Sequence, residues 1–496
     1  MAYRACAAFS KTRVLKFLTH RQFYRQTHTL GSVATHMEPS RVKYDFIEDV
    51  ERLDYYVPGG YHPTIIGDEF CEGRYVIAHK LGFGRSSTVW LGEDRISGRL
   101  VTLKITTAES AERPHELRIL SRLREVESQL PGKTMVQSLL DSFFFSGPNG
   151  THRCLVMDAA RVSIHEAKDA SYHRLLHLPA ARAIAAQLIF GLQFIHSQGI
   201  VHGGMFQFKY LTIKRITKRI LKPNIDLHLA NILLRLPSSI SAITREQLYT
   251  KTNKPTKERV IRRDRAPLDR GVPPEVVVPI WLGLGSDEIT VADSPILLAD
   301  FGEAFNPQAT KQFTAHTPLL LAPPEAIFIE PGVDEPLSFP ADIWTLACTI
   351  WELFGSGPPF QAFPATPDEV TIEHVEMLGK LPERWWSKWE ARSNWFDDDG
   401  NKNVKECFRQ YYGNSRRNWE EHFPADIRSS REWKNFDMFL PDEEKAFGDM
   451  IRSMLVLEPR KRATIEDVVR CDWMQRWGIL EVQRMQGTVR DTLPSR

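Results

Sequence analysis

Lys104, Glu116, Asp226, Asn231 and Asp300 are side chains whose types and spacing suit the transfer of a phosphoryl group. Lys104 ends a strand-like run, Val101-Thr102-Leu103-Lys104, and a buried lysine is costly unless a carboxylate meets it. Glu116, on the helix-like segment that follows, is placed to supply that carboxylate and leave the ammonium for nucleotide phosphates. Two ordinary surface charges are the alternative. Asp300-Phe301-Gly302 follows an apolar run, Ile296 to Ala299. An aspartate at a strand end, with glycine beyond it for the turn, suits Mg²⁺ held between phosphates. Asn231 would lend a second metal oxygen, and Asp226, in the spacing D-x-x-x-x-N, would accept the proton of an attacking hydroxyl.

A glycine-rich turn lies upstream. Leu81, Gly82, Phe83, Gly84, Arg85, Ser86, Ser87 and Val89 sit between two strand-like runs. Glycines there let backbone amides approach phosphate oxygens without a Cβ clash. A turn that merely joins two strands is the plainer reading of this motif taken alone. Together these groups point to ATP and Mg²⁺ as the small-molecule requirements.

The elements that must position them follow from periodicity. Tyr75–Leu81, Ser87–Gly92 and Leu100–Ile105 are β-prone runs separated by turns. Leu117, Leu120 and Leu123 space a helix over His115–Arg124, and further strands are expected near Val136–Phe145 and His152–Met157. Five strands and one helix make a small lobe. Beyond Ala160 the pattern turns helical, with Ala180–His196 and Pro340–Phe354 as long apolar helices and Ala463–Trp473 as a late one capped by Thr464. Residues 237–293, rich in Pro, Arg and polar side chains, read as an insertion loop.

Composition limits the remaining possibilities. A hydrophobic share of 42% supports a sizeable core, and no apolar run is read as crossing a membrane. The six cysteines, Cys6, Cys71, Cys154, Cys348, Cys407 and Cys471, form no C-x-x-C pair, which argues for a reducing compartment. The net charge of +2 conceals two acid-free basic stretches, residues 1–37 and 204–225. The rest is net acidic, which suits a basic peptide substrate and not direct contact with nucleic acid. Residues 1–37 resemble a mitochondrial transit peptide; a disordered leader or a misplaced start codon are the alternatives. Asp397, Asp399, Gly400 and Glu406 have calcium-loop spacing, but Trp395 and Lys402 stand where such a loop needs an oxygen donor and an apolar residue, so a solvated turn is expected.

With Ala322-Pro323-Pro324-Glu325, Asp342-Ile343-Trp344 and Arg462 added to these motifs, the chain resembles the eukaryotic protein kinases over roughly residues 55–480. The resemblance implies an α+β, bilobal fold with a small β-rich lobe and a larger helical lobe. It places Met157 at the gatekeeper, Asp158 and Ala160 at the adenine-binding hinge, and His202 at the head of the catalytic loop. It also makes Asp342 the anchor of that loop, pairs Arg462 with Glu325, and leaves Ser87 where the pattern has a third glycine. The run Gly59-Gly60-Tyr61-His62-Pro63-Thr64-Ile65-Ile66-Gly67-Asp68 resembles the lead-in of the SR-protein kinases and their fungal relatives. That likeness implies serine phosphorylation in Arg/Ser-rich proteins, a monomer, and a place in cytoplasm and nucleus, with the mitochondrion as the alternative set by the leader. It makes Glu369 and Glu376 docking acids, although Thr366-Pro367-Asp368-Glu369 is equally a helix start with a capping box. The implied division is a leader over 1–50, a small lobe over 51–161, a large lobe over 162–480 with insertions at 204–225, 237–293 and about 362–442, and a tail over 481–496.

Two departures bear on turnover. His228 stands where these kinases have lysine, and Gly203 replaces the arginine that binds a phosphorylated activation loop, so activity is expected not to depend on that phosphorylation. A nucleotide-binding pseudokinase is therefore a second reading. A small-molecule kinase is a third, which the peptide-binding features Glu325, Asp342 and Arg462 argue against. The larger departure is that residues 204–225 separate His202-Gly203 from Asp226, and removing them restores an unbroken loop. They read as an intron translated in frame: Gly204-Met205 accommodates a GT donor, Ile225-Asp226 an AG acceptor, and Leu211-Thr212 a CTAAC branch sequence. A genuine basic insertion is the alternative. Spliced transcripts are expected to join codon 203 directly to codon 226; mature messages that retain the intervening bases would refute the intron.

Overall fold

The computed structural model describes residues 37–203, 229–315, 317–412 and 418–491. Asp226, His228, the 204–225 segment and the leader up to residue 36 lie outside the described residues.

The small lobe is an antiparallel sheet. Its strands are β1 (Glu69–Phe70), β2 (Tyr75–Gly84), β3 (Ser87–Asp94), β4 (Arg99–Thr106), β5 (Leu139–Gly147) and β6 (Gly150–Asp158), in the order β1-β2-β3-β4-β6-β5. Helix α1 (His115–Glu125) lies between β4 and β5 in sequence. Val101, Leu103 and Ile105 alternate into one apolar cluster with Ile77, Trp90 and Val156. The period of two therefore turns Lys104 to the other face. The sheet has one strand more than expected, the short β1, and β5 begins at Leu139, after a single-turn helix over Pro131–Met135.

The large lobe starts with β7 (Ala160–Ser163), α2 (Ile164–Asp169) and α3 (Leu178–Ser197). α3 is long and apolar enough by length and composition to cross a membrane, which corrects the expectation that no stretch is. Its apolar window is 78% buried inside the protein, as befits a core helix. β8 (Ile232–Arg235) pairs with β7 on one side. The insertion then supplies α4 (Ser238–Ser241), α5 (Arg245–Thr252) and the hairpin of β9 (Lys257–Arg259) with β10 (Glu275–Val277). β11 (Ile296–Leu298) returns to β8, followed by α6 (Pro324–Phe328), α7 (Phe339–Phe354) and α8 (Pro367–Leu378).

Residues 237–293 are thus not a loop. Their scattered apolar side chains are enough to dock them on the small lobe. Val277 joins the sheet cluster of Tyr75 and Trp90, Leu248 and Leu282 pack with Ala78 and Leu91, and Val260, Val272 and Val276 pack with Leu53, Tyr56 and Tyr61. Part of the expected leader is folded too: the Asp45 amide donates to the Ile261 carbonyl at 2.9 Å, and Tyr44 bridges to Arg262. The expected tail is a helix over Ile479–Asp491, with Val482 and Met485 buried in the large-lobe core. The Asp397 carboxylate is spent on the Asp399 and Asn401 amides, a turn and not a calcium loop.

His374 is the costly member of this core. It is fully buried between Trp344 and Phe360, with ring centroids 5.0 and 4.4 Å away, and neither ring nitrogen has a hydrogen-bond partner among the described residues. Burial, aided by the nearby Arg462 charge, lowers its pKa to about 3. The unfolded chain binds this proton near the ordinary 6.5, so His374 favours unfolding progressively as pH falls from about 6.5 toward 3. Between pH 7 and 5 the wild type is expected to lose about 2 kcal/mol more stability than His374→Leu. Denaturant unfolding at both pH values checks this, and parallel losses would contradict it.

Candidate active site

Lys104 Nζ lies 2.7 and 2.8 Å from the two carboxylate oxygens of Glu116 and 3.9 Å from Asp300 Oδ1. Glu116 can reach because Leu120, one turn further along α1, is buried on the same face, which presses the helix against the core. Lys104 is only 19% exposed, and burial by itself would lower its pKa. The Glu116 and Asp300 charges outweigh burial and raise it, so the ammonium keeps its proton at any physiological pH.

Asp300 follows directly on β11 and Ala299, and β11 is held antiparallel to β8 by the pairings Ile296–Leu234, Leu297–Leu233 and Leu298–Ile232. Asn231 immediately precedes β8. Its side-chain amide donates to Asp300 Oδ2 at 3.5 Å, and the Ala299 amide donates to the Asn231 carbonyl at 3.0 Å. One strand pair therefore places both residues. Asp300 has φ of +60°, a left-handed conformation that costs a non-glycine residue about 1 kcal/mol or more. Among the described residues only long contacts restrain its carboxylate: the Gly302 amide at 3.4 Å, Asn231 and Lys104. A carboxylate and a carboxamide are the hard oxygen donors Mg²⁺ prefers, so these two residues fit that ion.

The glycine-rich turn joins β2 to β3, with Gly84 paired to Ser87. Among the described residues a Cβ at Gly82 or Gly84 would meet nothing within 4 Å, so their packing does not demand these glycines. The space beside them is open, and a ligand approaching the backbone gives the glycines a purpose. At the far side of the small lobe Met157 is buried at the end of β6, and Asp158 and Ala160 lead into β7. The Asp158 carbonyl accepts from Gln137 Nε2 at 3.3 Å.

Below the cleft, Asp342 on α7 gathers the stretch from His196 to Gly203, where the catalytic loop is expected to begin. Its Oδ2 accepts from the His202 amide at 2.7 Å and from His196 Nε2 at 2.9 Å, and its Oδ1 from the Gly203 amide at 3.1 Å. His202 is buried against Phe301, ring centroids 4.9 Å apart, and burial lowers its pKa, which keeps the imidazole neutral. Gly203 has φ of +83°, and a Cβ there would lie 2.5 Å from the Glu303 carbonyl oxygen. That crowding is a physical reason for the missing arginine. The segment after Asp300 is tied by backbone pairing, Val201 and Phe305 exchanging bonds of 2.8 and 2.9 Å and the Leu337 amide donating to the Gln312 carbonyl at 2.7 Å, and by the His115 ring, which bonds the Ala304 carbonyl through Nε2.

The proposed docking acids are placed differently. Thr366 caps α8 by accepting from the Glu369 amide at 3.2 Å, but its own amide donates to Pro364, so the capping box is half formed. Glu376 pairs with Lys402 at 2.6 Å and is 8% exposed, which leaves it little free charge to offer a peptide. Sequence spacing missed the buried pair Lys80–Glu51, whose only trace is a lysine inside an apolar strand.

The protein kinase domain profile matches residues 287–474. Protein kinase dsk1 of Schizosaccharomyces pombe is 39% identical over 156 residues, 31% of this chain and 29% of that protein. SRSF protein kinase 3 of Homo sapiens is 33% identical over 159 residues, covering 31% of this chain and 28% of its own length. Serine/threonine-protein kinase SRPK of Physarum polycephalum is 24% identical over 440 residues, covering 86% of this chain and 92% of that one. The stretches of higher identity thus span under a third of the relatives they match.

Arg462 ties the lobe together: it is fully buried, donates to both Glu325 oxygens at 2.8 and 3.0 Å and to the Pro340 carbonyl at 2.6 Å. Arg462→Ala leaves the Glu325 carboxylate buried and unpaired, at an expected cost of about 3–5 kcal/mol. Thermal and urea unfolding check this; an unchanged midpoint would contradict it.

Proposed function

We infer that this chain is a protein kinase of the SR-protein-kinase type, and that it transfers the γ-phosphoryl group of ATP to serine in Arg/Ser-rich basic proteins. The observation that carries the reading is the convergence of Lys104, Glu116, Asn231 and Asp300, from four separate stretches of chain, on one cleft. Lys104, charged and steered by Glu116, holds the nucleotide phosphates. Asp300 and Asn231 are the residues that would hold Mg²⁺, which when bound neutralises charge on the transferring phosphate. Asp226 accepts the proton of the serine hydroxyl as its oxygen bonds to phosphorus and the bond to the departing ADP oxygen breaks.

Three further points support the details. Relatives of this chain carry the names serine/threonine-protein kinase and SRSF protein kinase. The net-acidic body outside the two basic stretches favours a cationic substrate. Backbone pairing of the segment after Asp300, with glycine at position 203, favours a form that needs no phosphate to order it.

A nucleotide-binding scaffold without turnover is the second reading, and the 204–225 segment directly before Asp226 is the observation that favours it. An Arg-Ser peptide is the discriminating substrate. The chain lacking 204–225 is expected to phosphorylate it, Asp226→Asn in that background to lose at least about 100-fold in kcat, and Thr310→Ala, Thr314→Ala and Thr317→Ala each to keep it. Mg·ATP binding without transfer in the shortened chain would establish the scaffold instead.

A further inference from the structure

The lead-in before β1 makes contacts that a mere connector would not need. The carbonyls of Gly59 and Gly60 accept from the Glu109 and Ala108 amides at 2.8 and 3.0 Å, on the connection into α1. The Gly59 amide donates to the Asn149 carbonyl at 2.8 Å, and Asn149 Nδ2 donates to the Tyr61 carbonyl at 2.7 Å and the Gly271 carbonyl at 2.8 Å. Glu51, buried, takes hydrogen bonds from Tyr56 Oη and from the fully buried Lys80 ammonium on β2. That ammonium also stands 5.4 Å from the ring centroid of Phe83 in the glycine-rich turn.

Tyr61 closes the network onto the turn. Its hydroxyl donates to the Gly84 carbonyl at 2.8 Å and lies 3.3 Å from the Arg85 carbonyl. Burial raises its pKa, so it remains a donor. In a trans peptide the carbonyl and the amide of one unit point in opposite directions. Fixing the Gly84 and Arg85 carbonyls toward Tyr61 therefore aims the Arg85 and Ser86 amides away from the lead-in, as donors for an anion.

We propose that Tyr61 is a positioning residue for nucleotide binding, holding the backbone of the glycine-rich turn in the conformation that receives phosphate, with the Glu51–Lys80 pair fixing the segment that carries it. Beyond its β2–β3 pairing the turn has no packed support at its glycines: among the described residues nothing lies within 4 Å of a Cβ built at Gly82 or Gly84. This rests on the nucleotide cleft described above.

Tyr61→Phe removes the hydroxyl and keeps the ring, and it is tested in the full chain by amide hydrogen exchange without ligand and by titration with Mg·ADP. Peptides covering 82–87 are expected to exchange faster, and the Mg·ADP dissociation constant to rise, each on the order of three- to tenfold. Exchange in Leu178–Ser197 and the melting temperature should hold steady. Unchanged exchange in the turn, or protection lost equally across the large lobe, would overturn the proposal. Normal Mg·ADP binding by Tyr61→Phe overturns this inference alone, whereas a wild-type chain that binds no Mg·ADP overturns the cleft reading together with it.

Discussion

A lysine ammonium held between two carboxylates, Lys104 against Glu116 and Asp300, is the constraint on which the small lobe, the helix and the strand pair of the large lobe all converge. Removing an ammonium from water costs several kcal/mol, and only close opposite charge recovers it. At 2.7–2.8 Å Glu116 does most of that work, and at 3.9 Å Asp300 adds less. Each partner arrives on a different support. The apolar alternation of β4 turns Lys104 inward, Leu120 seats the helix that carries Glu116, and the β8–β11 ladder delivers Asp300 with Asn231. Loss of any support would strand a charge.

Around that centre the chain spends buried polar groups on fastening its segments. Asp342 gathers His196, His202 and Gly203, Arg462 clasps Glu325 and Pro340, and Glu51 holds Lys80 and Tyr56. The first two join stretches far apart in sequence, and Glu51 ties the lead-in to β2, so each lowers the freedom of one segment relative to another. The insertion over 237–293 works by apolar contact instead, laying small valine and leucine clusters against the sheet and the lead-in. The small lobe is therefore braced from behind while its glycine-rich edge stays open.

Much of the cleft was legible in the sequence because its signals are local. Period two around Lys104, helical spacing around Leu120, and a strand ending at Asp300-Phe301-Gly302 each follow from a dozen residues or fewer. What escaped notice depends on partners that no local pattern reveals. Lys80 reads as one residue within the strand-like run Tyr75–Leu81, and its partner Glu51 precedes the strand by a turn-rich lead-in. Val260, Val272 and Val276 are too thinly spread among Pro and Arg to signal a packed hairpin, and Ile479–Asp491 lacked the length of apolar stripe that marks a core helix. Glu376 matched a docking pattern, but Lys402 pairs with it across the fold.

The central claim is that Lys104 and Glu116 act as one unit in receiving nucleotide. A double-mutant cycle tests it most directly: calorimetric affinity for a non-hydrolysable Mg·ATP analogue in wild type, Lys104→Met, Glu116→Gln and the double variant. Either single change should weaken binding by about 10-fold or more, and the double variant should bind no worse than the weaker single, a coupling of at least about 1 kcal/mol. Additive losses, or none, would contradict the account.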